Sequence, residues 1–482
     1  MSSRNFAIWE DLPRELWLHI LGFLNSKELV RCARVSKAFN EMCFDGQLWT
    51  CIDTTSYYRD ISDEALAFII SSAGSFLRTL NLRGCLQVAQ LRDVQRVAAA
   101  GKNIRNLTLE GTNIDPWAIE AFLTYNSGLR NLSVRGLSGV TSSTLQRLSV
   151  SCPLLQYLDV SWCHAVDKQG LAHVVGSCTR LKELRAAETV GWDDPEVAEK
   201  LFIHNQLETL CLTDCTSLTN QVLTILMQGL DSEVNGFASK VQAPPRKLRH
   251  LDLSGCKHIS DLGLRSMIGN VPYMERLMIS RCRVNDGTLG DLFRTTPLLS
   301  HVELQEMRGV NRYCLKSLAT TCIRSLRYVN ISSCRNVADE DVCTLLRKCD
   351  KLQRLKLDNT NITDKVLSET AGRSSMQELQ LTVFDCGMVS WWGLREVLIA
   401  NSRGKGMVKL RCCYKLQALV DEHTNMVLRG DLDGAGGAEH RGTYLVLAQE
   451  GNAARRRSWW RRRSLLPDSY VTVRRRAECL VM

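Results

Sequence analysis

The chain has 482 residues, 45% hydrophobic and 23% charged, which suffices for a continuous core in several domains or in one long repeat array. Its net charge of +10 lies mostly in residues 451–482, where nine Arg face one Asp and one Glu, so the body is not generally basic. No basic stretch followed by an apolar run opens the chain, and no apolar run approaches the ~20 residues that span a bilayer. We therefore expect no secretory signal, no transmembrane segment, and mostly free thiols among the 20 Cys.

Residues 9–49 are predicted to form helices that precede the rest of the fold. Pro13 suits a first helical turn, and an apolar stripe follows it at helical spacing: Leu16, Ile20, Leu21 and Leu24. Asn25 and Glu28 have the spacing of a capping box, which predicts a second helix. About 40 residues are too few for an independent core, so this segment must pack on the next element or on another protein.

A repeated L-x-x-L-x-L segment organises the chain after residue 76. Its steps are 24 to 27 residues, with one step of 41. This period lies in the leucine-rich-repeat range. The first positions are Leu77, Ile104, Leu129, Leu155, Leu181, Leu207, Leu248, Met274, Leu299, Leu326, Leu352 and Met376.

Each repeat predicts one strand followed by one helix. In "LRHLDLSG" the side chains of Leu248, Leu251 and Leu253 point inward, and Ser260 caps the following helix. One such unit cannot bury its apolar face alone, so neighbouring units must stack. Twelve adjacent strands would form a curved parallel sheet of roughly 55 Å, with strands on the inner face and helices on the outer face.

Two segments depart from the repeat. Residues 230–247 account for the long step and are predicted to be a loop insertion, either a tolerated surface loop or one that grips a ligand. Residues 426–482 are predicted to be a flexible tail, first Gly-rich and then Arg-rich. The Arg triplets beside Trp459 and Trp460 suit an import receptor, nucleic acid or an anionic membrane, although a merely solvated tail would look the same. We favour nuclear import.

Six cysteines occupy equivalent repeat positions, five residues after the second apolar position: Cys85, Cys163, Cys215, Cys256, Cys282 and Cys334. Thr112, Leu137 and Thr189 occupy the same position in other repeats, as a packing site permits and a ligand set does not. The chain has no C-x-x-C spacing, nucleophile elbow or phosphate-binding glycine loop. We therefore interpret this column as packing, and we expect no catalytic residue, no metal and no cofactor.

The side chains between the buried leucines should form rows on the concave face, where repeat proteins commonly bind partners. Arg83, Arg135 and Arg185 suggest a basic patch toward the N-terminal half. A mixed solvated surface is the alternative. In the last unit, Gln380 is expected to lie beside Lys356. The candidate target-binding residues are Arg83, Arg135, Asp159, Arg185, Asp252, Glu303 and Lys356.

The N-terminal segment resembles an F-box, the helical module that binds a Skp-type adaptor of cullin-RING ubiquitin ligases. The resemblance is carried by Leu12-Pro13, Glu15, Ile20-Leu21, Leu24, Leu29, Val35 and Leu48-Trp49. The array behind it resembles the cysteine-containing leucine-rich repeats of F-box/leucine-rich-repeat proteins. Phe39 stands where many F-boxes have Trp, so an aromatic ring is retained. The resemblance implies adaptor contacts by Leu12, Pro13, Ile20, Leu21, Leu24 and Val35.

We therefore predict an α/β solenoid, with F-box helices in 1–50, a curved array of about 12–13 strand-helix units in 51–425, and the tail. The resemblance implies a non-catalytic substrate receptor of an SCF-type ligase in the cytoplasm or nucleus. It would bind the adaptor, through it a cullin, and a protein target for degradation. The alternatives are a leucine-rich-repeat scaffold that works without ubiquitin, and a chromatin- or nucleic-acid-associated protein led by the basic tail. The N-terminal helices could also simply cover the open end of the solenoid.

Overall fold

In the part of the chain that the structure describes, fourteen short parallel strands form one sheet, and each strand pairs with its neighbours in sequence. The structure is a computed structural model that describes residues 12–86, 94–230, 244–373, 378–402 and 408–412. The strands are β1 (Cys51–Asp53), β2 (Thr79–Asn81), β3 (Asn106–Thr108), β4 (Asn131–Ser133), β5 (Tyr157–Asp159), β6 (Glu183–Arg185), β7 (Thr209–Cys211), β8 (His250–Asp252), β9 (Arg276–Met278), β10 (His301–Glu303), β11 (Tyr328–Asn330), β12 (Arg354–Lys356), β13 (Leu379–Thr382) and β14 (Val408–Arg411).

Three helices precede the sheet, and one helix follows each strand from β1 to β13 within the described ranges. The three are α1 (Arg14–Leu21), α2 (Ser26–Cys32) and α3 (Lys37–Cys43). The others are α4 (Asp63–Ala73), α5 (Val94–Ala100), α6 (Pro116–Tyr125), α7 (Ser142–Ser151), α8 (Lys168–Ser177), α9 (Pro195–His204), α10 (Asn220–Gln228), α11 (Asp261–Arg265), α12 (Asp286–Arg294), α13 (Arg312–Thr321), α14 (Asp339–Lys348), α15 (Asp364–Ala371) and α16 (Trp391–Ser402). The predicted α/β solenoid is confirmed.

The buried leucines of successive strands stack in register, and this stacking forms the core. Leu210, Leu251 and Leu277 pair across β7, β8 and β9, and all three are fully buried. Burying a leucine side chain contributes about 1.5–3 kcal/mol, so a row of such contacts holds each repeat to the next.

None of the helices in the described ranges is long and apolar enough to cross a bilayer.

Helix ends are also joined across repeats. Ser260 is the N-cap residue of α11, as predicted, but its hydroxyl accepts a hydrogen bond from Asn220 Nδ2 at 2.9 Å. Asn220 Oδ1 in turn accepts the backbone N–H groups of Ser260 (2.9 Å) and Gly263 (3.1 Å). Asp364 likewise accepts the backbone N–H (2.8 Å) and the hydroxyl (2.6 Å) of Ser390 in the next repeat. One repeat therefore caps the helix of its neighbour.

The strand register corrects the prediction for the last full repeat. Leu355 pairs with Leu381, so Gln380 lies beside Arg354, and Thr382 lies beside Lys356. The prediction that Gln380 lies beside Lys356 is wrong by two residues. The apolar residues around Leu379 fit the repeat pattern in two alternative registers, and the strand stacks on its neighbour in the later register. The predicted start of that unit, Met376, lies outside the described residues. The same holds for most of the insertion at 230–247 and for the whole tail, 426–482.

The cysteine column lies at the turn after each strand and is buried. Each of several thiols donates to a backbone carbonyl of the preceding repeat: Cys163 to Val134 (3.2 Å), Cys215 to Ala186 (3.0 Å), Cys256 to Leu212 (3.0 Å), Cys282 to Leu253 (3.3 Å) and Cys334 to Leu304 (3.0 Å). Cys386, which the sequence analysis did not include, does the same with Leu357 (3.1 Å). Thr112 takes the place of the cysteine in its repeat and also supplies a hydrogen-bond donor. Its hydroxyl donates to the carbonyl of Leu109 at 2.7 Å.

Burial raises the pKa of these thiols, to about 11 for Cys163 and Cys334 and to about 12 for Cys282. They therefore stay protonated and unreactive near neutral pH. We expect iodoacetamide to modify the exposed Cys51 slowly in the native protein, since burial also raises the pKa of its thiol, and to reach the column cysteines only after urea unfolding. Peptide mass spectrometry measures this directly. Rapid native modification of Cys256 or Cys334 would contradict the packing role.

Candidate functional site

The first helix presents an apolar face to solvent. Leu16 and Ile20 lie one turn apart on α1, and Phe23 follows one turn later in the turn that ends the helix. Their exposed fractions are 48%, 40% and 79%. Val35, which follows α2, is also exposed. We call Leu16, Ile20 and Phe23 the α1 face. Three large apolar side chains on one side of a short helix are a candidate partner surface.

The opposite side of α1 forms the small core of the N-terminal helices. Trp17 is buried and contacts the Phe39 ring edge-on, with ring centroids 4.7 Å apart. Asn25 and Glu28 form the predicted capping box at the start of α2, with bonds of 2.8 and 3.1 Å. The aromatic ring at position 39 therefore supports the helix that carries the α1 face.

The predicted adaptor contacts divide between surface and core. Pro13, Ile20 and Val35 are exposed, Leu12 and Leu24 are half-buried, and Leu21 is buried. Leu16 and Phe23 of the α1 face were not among them. The helical period placed Leu16 in one stripe with Ile20, Leu21 and Leu24, but it did not show which half of that stripe faces solvent. Phe23, a large aromatic residue next to Gly22 in the segment "LGFLN", was the available signal.

Aromatic packing fixes the N-terminal helices to the end of the solenoid. Trp49 is buried, and its indole N–H donates to the carbonyl of Cys43 at 2.8 Å. The Trp49 ring is stacked with Phe44 at 5.8 Å between centroids, and Phe44 contacts Phe68 of α4 edge-on at 4.8 Å. The α1 face is thus held in a defined direction relative to the sheet.

Two carboxylates offset most of the positive charge of the predicted basic patch in the N-terminal half. Arg83 and Arg135 both lie near Glu110, at 3.5 and 3.8 Å, and Arg185 pairs with Glu183 at 2.6 Å. The guanidinium of Arg135 also lies over Trp162, 4.2 Å from the ring centroid. An anionic partner would have to compete with these carboxylates. Target binding by the three arginines stays a prediction.

Two of the acidic side chains predicted to bind a target accept hydrogen bonds from within the fold. Asp159 is buried and accepts the N–H of Ser161 at 2.9 Å. Asp252 accepts the N–H of Ser254 at 2.9 Å and the hydroxyl of Thr213 at 2.8 Å. Burial raises the pKa of the Asp252 carboxyl. Both side chains thus stabilise the turn after their own strand.

The surface of the sheet from β9 to β12 differs from the N-terminal half because aromatic rings lie beside its cationic side chains. Glu303 accepts the hydroxyl of Tyr328 at 2.8 Å, and the ammonium of Lys356 lies 5.9 Å from the centre of the same ring. Burial and the nearby Arg276 lower the pKa of His301, to about 4. Glu303 and Lys356 were predicted, whereas Arg276, His301, Tyr328 and Arg354 were not. Each of these four residues directly precedes the buried residue of its strand, and together they form an exposed to half-buried column that the sequence analysis did not examine.

No group of three His, Cys, Asp or Glu side chains within the described ranges is arranged to hold a metal ion. The surfaces described above consist of apolar, aromatic and charged side chains. Such surfaces bind other macromolecules.

Comparisons with known proteins identify the same two parts. A family model described as F-box-like matches residues 9–55, and a Leucine Rich repeat model matches residues 151–172 and 245–267. A Bos taurus protein named F-box/LRR-repeat protein 4 is 25% identical over 324 residues, 66% of this chain and 45% of that protein. The Arabidopsis thaliana F-box protein SKIP17 is 26% identical over 371 residues, 75% of this chain and 67% of that protein. The chain thus spans less than half the length of the first relative.

Two solved structures are similar at low identity. One is the Rad7 and Elc1 complex of yeast, at 15% identity and a TM-score of 0.43, covering 70% of this chain and 85% of that one. The other is an internalin of Listeria monocytogenes, at 14% identity and a TM-score of 0.45, covering 78% and 88%. The F-box-like match, the repeats that follow it and the two curated relatives together support an F-box/leucine-rich-repeat protein.

Proposed function

We propose that this chain is the substrate-recognition subunit of an SCF-type ubiquitin ligase. The F-box-like helices bind a Skp-type adaptor, which joins the chain to a cullin, and the concave face binds a target for ubiquitination and proteasomal degradation. The observation that carries the proposal is the α1 face, which leaves Leu16, Ile20 and Phe23 in solvent on a module that matches the F-box-like family.

The energetics of the α1 face support an adaptor contact. Fully covering one large apolar side chain contributes about 1.5–3 kcal/mol, so the three together offset a large part of the cost of association, and further contacts supply the rest. Val35 extends the apolar surface beyond α1. An apolar helical face that enters a groove is a common recognition mode.

The chain acts without chemistry of its own in this proposal. Its task is to hold a target lysine near the ubiquitin-carrying enzyme, so that a rare encounter becomes frequent. The packing of Trp49 and Phe44 on α4 supports this role, because it fixes the adaptor-binding helices relative to the sheet. We place the protein in the cytoplasm or nucleus; the free thiols of the described residues agree with a reducing compartment.

Co-purification tests the proposal. The full chain is co-expressed with a Skp-type adaptor and a cullin, as wild type and as the double variant Ile20→Asp/Phe23→Asp. We expect the variant to lose both partners, because each new carboxylate would be buried without a counter-charge. The matched control is Val150→Asp/Leu262→Asp, at two exposed apolar positions on α7 and α11. Equal recovery of the adaptor by the two double variants would refute the proposal, as would its absence from the wild type.

A further inference from the structure

We propose that strands β9 to β12 bind a short, extended, anionic segment of the target protein, whose negative charges come from carboxylate or phosphate side chains. This inference rests on the proposed function only in naming the partner as the target, since the binding itself needs no adaptor. The site consists of Arg276, His301, Tyr328, Arg354 and Lys356, which we call the cationic strip.

The register of the sheet brings these residues together. His301 pairs with Arg276 on one side and with Tyr328 on the other, and Tyr328 pairs with Arg354. The His301 and Tyr328 rings lie 5.8 Å apart. The guanidinium of Arg354 and the ammonium of Lys356 each lie 5.9 Å from the centre of the Tyr328 ring. Three strand spacings give the strip a length of about 14 Å.

Within the described ranges the positive charge of the strip is only partly offset, by Glu303. Arg276 has no acidic partner within the described ranges, and neither has Arg327, which precedes β11. Arg354 donates to the Gln380 amide at 3.0 Å rather than to a carboxylate. Glu303 is the nearby acid, and its carboxylate accepts the Tyr328 hydroxyl. By contrast, Arg185 in the N-terminal half is paired with Glu183.

His301 responds to this charge. Burial lowers its pKa, and so do four neighbouring groups, in the order Arg276, His250, Arg327 and Arg354. The imidazole is therefore neutral at physiological pH and can donate or accept a hydrogen bond in a positively charged environment. An anion bound beside it would find two arginines and one neutral donor within reach.

The cationic strip is short, and its length indicates that a short peptide segment binds it. On the β8 side, Arg249 is paired with Glu275 at 2.7 Å, and on the far side Lys409 of β14 is paired with Glu378 at 2.7 Å. The unpaired cations thus extend over only four strands, about the length of four extended residues. In an extended peptide, alternate side chains point the same way about 7 Å apart, so two acidic side chains four residues apart can meet Arg276 at one end of the strip and Arg354 at the other. The residues between them would lie beside His301 and Tyr328. A nucleic acid strand would continue past both ends, where the cations are already paired.

Fluorescence anisotropy with the purified full chain tests this inference. The probe is a short labelled peptide in which Glu alternates with Ser; a second probe replaces Glu by phosphoserine, and a third replaces it by Gln. We expect both anionic probes to bind and the Gln probe not to bind. The tighter of the two anionic probes identifies the source of the charge. Binding of the Gln probe as tightly as the anionic ones would overturn the inference.

The matched variants locate the site. Arg276→Gln/Arg354→Gln should weaken binding of the better anionic probe by roughly tenfold to a hundredfold, because each arginine supplies a charge-assisted hydrogen bond. Arg147→Gln/Arg347→Gln removes the same charge from arginines on the helices that are already paired, with Glu120 and Glu369, and should change binding less than about threefold. Equal losses in the two variants would overturn the inference. So would a single-stranded oligonucleotide that binds more tightly than either peptide through Arg276 and Arg354.

Adaptor binding by the same preparations separates this inference from the proposed function. The cationic strip lies on the sheet, far along the chain from α1, so Arg276→Gln/Arg354→Gln should bind the adaptor like the wild type. If the peptide probes bind but the adaptor does not, the proposed function fails while the anionic site stands. If the adaptor binds but the peptides do not, only the anionic site fails.

Discussion

Replacing Gly191 by alanine is expected to lower the free energy of unfolding by roughly 2–5 kcal/mol, from about 1–2 of backbone strain and about 1–3 of overpacking. Gly191 has a φ of 90°, and a Cβ there would lie 2.4 Å from the backbone nitrogen of Lys168 in the preceding repeat. Backbone cannot rotate away as a side chain can. The next residue, Trp192, is buried and hydrogen-bonded to Thr189 at 2.9 Å, so the strain would reach the core.

Gly136→Ala is the matched control for Gly191. Its φ is 72°, but a Cβ there would meet no atom within 4 Å. Trp162 and Glu188 occupy the equivalent turn position at φ values of 62° and 53°, so this turn tolerates a side chain. We expect a loss of only about 1–2 kcal/mol. Urea unfolding followed by circular dichroism compares the two variants, and equal midpoints would contradict the clash at Gly191.

Replacing Trp49 by alanine is expected to cost about 3–5 kcal/mol, the usual range for removing a buried tryptophan. The substitution removes the stacking on Phe44 and leaves the carbonyl of Cys43 without the indole donor. Because Phe44 also contacts Phe68 of α4, the N-terminal helices should loosen from the solenoid before the repeats unfold.

Hydrogen exchange measures this loosening region by region. In Trp49→Ala, exchange should accelerate in α3 (Lys37–Cys43) while β8 to β10 keep their protection, because each repeat contacts mainly its neighbours. Trp117→Ala is the control, since Trp117 on α6 is half exposed and its removal should cost less than about 1 kcal/mol. Uniform acceleration of hydrogen exchange throughout the repeats would contradict the role of Trp49 in holding the N-terminal helices to the solenoid.

The fold could be predicted from the sequence because each repeat carries its own signal. The spacing of Leu251 and Leu253, and the recurrence of Cys256, are local features that repetition makes unambiguous. The last repeat shows where this reasoning ends, because "MQELQLTV" fits the pattern in two registers and only stacking of Leu381 on Leu355 selects one. Strand β1 was missed because Ile52 is its single buried apolar residue.

The candidate surfaces could be predicted only in part. A helical period groups Ile20 with Leu21, but the packing of Trp17 on Phe39 decides that Leu21 is covered and Ile20 is not. The net charge of a row of side chains across the sheet depends on every residue in that row, acidic as well as basic. Glu110 stands between Arg83 and Arg135 in the same column, so counting the arginines alone overstates the positive charge there.

Calorimetric titration of a purified Skp-type adaptor into the full chain tests the central claim most directly. The account predicts that the wild type binds with a negative heat-capacity change, because the α1 face is covered. Ile20→Asp/Phe23→Asp should bind at least roughly a hundredfold more weakly, while Val150→Asp/Leu262→Asp binds like the wild type. The account would be contradicted if the wild type did not bind, or if both double variants bound the adaptor as tightly as the wild type.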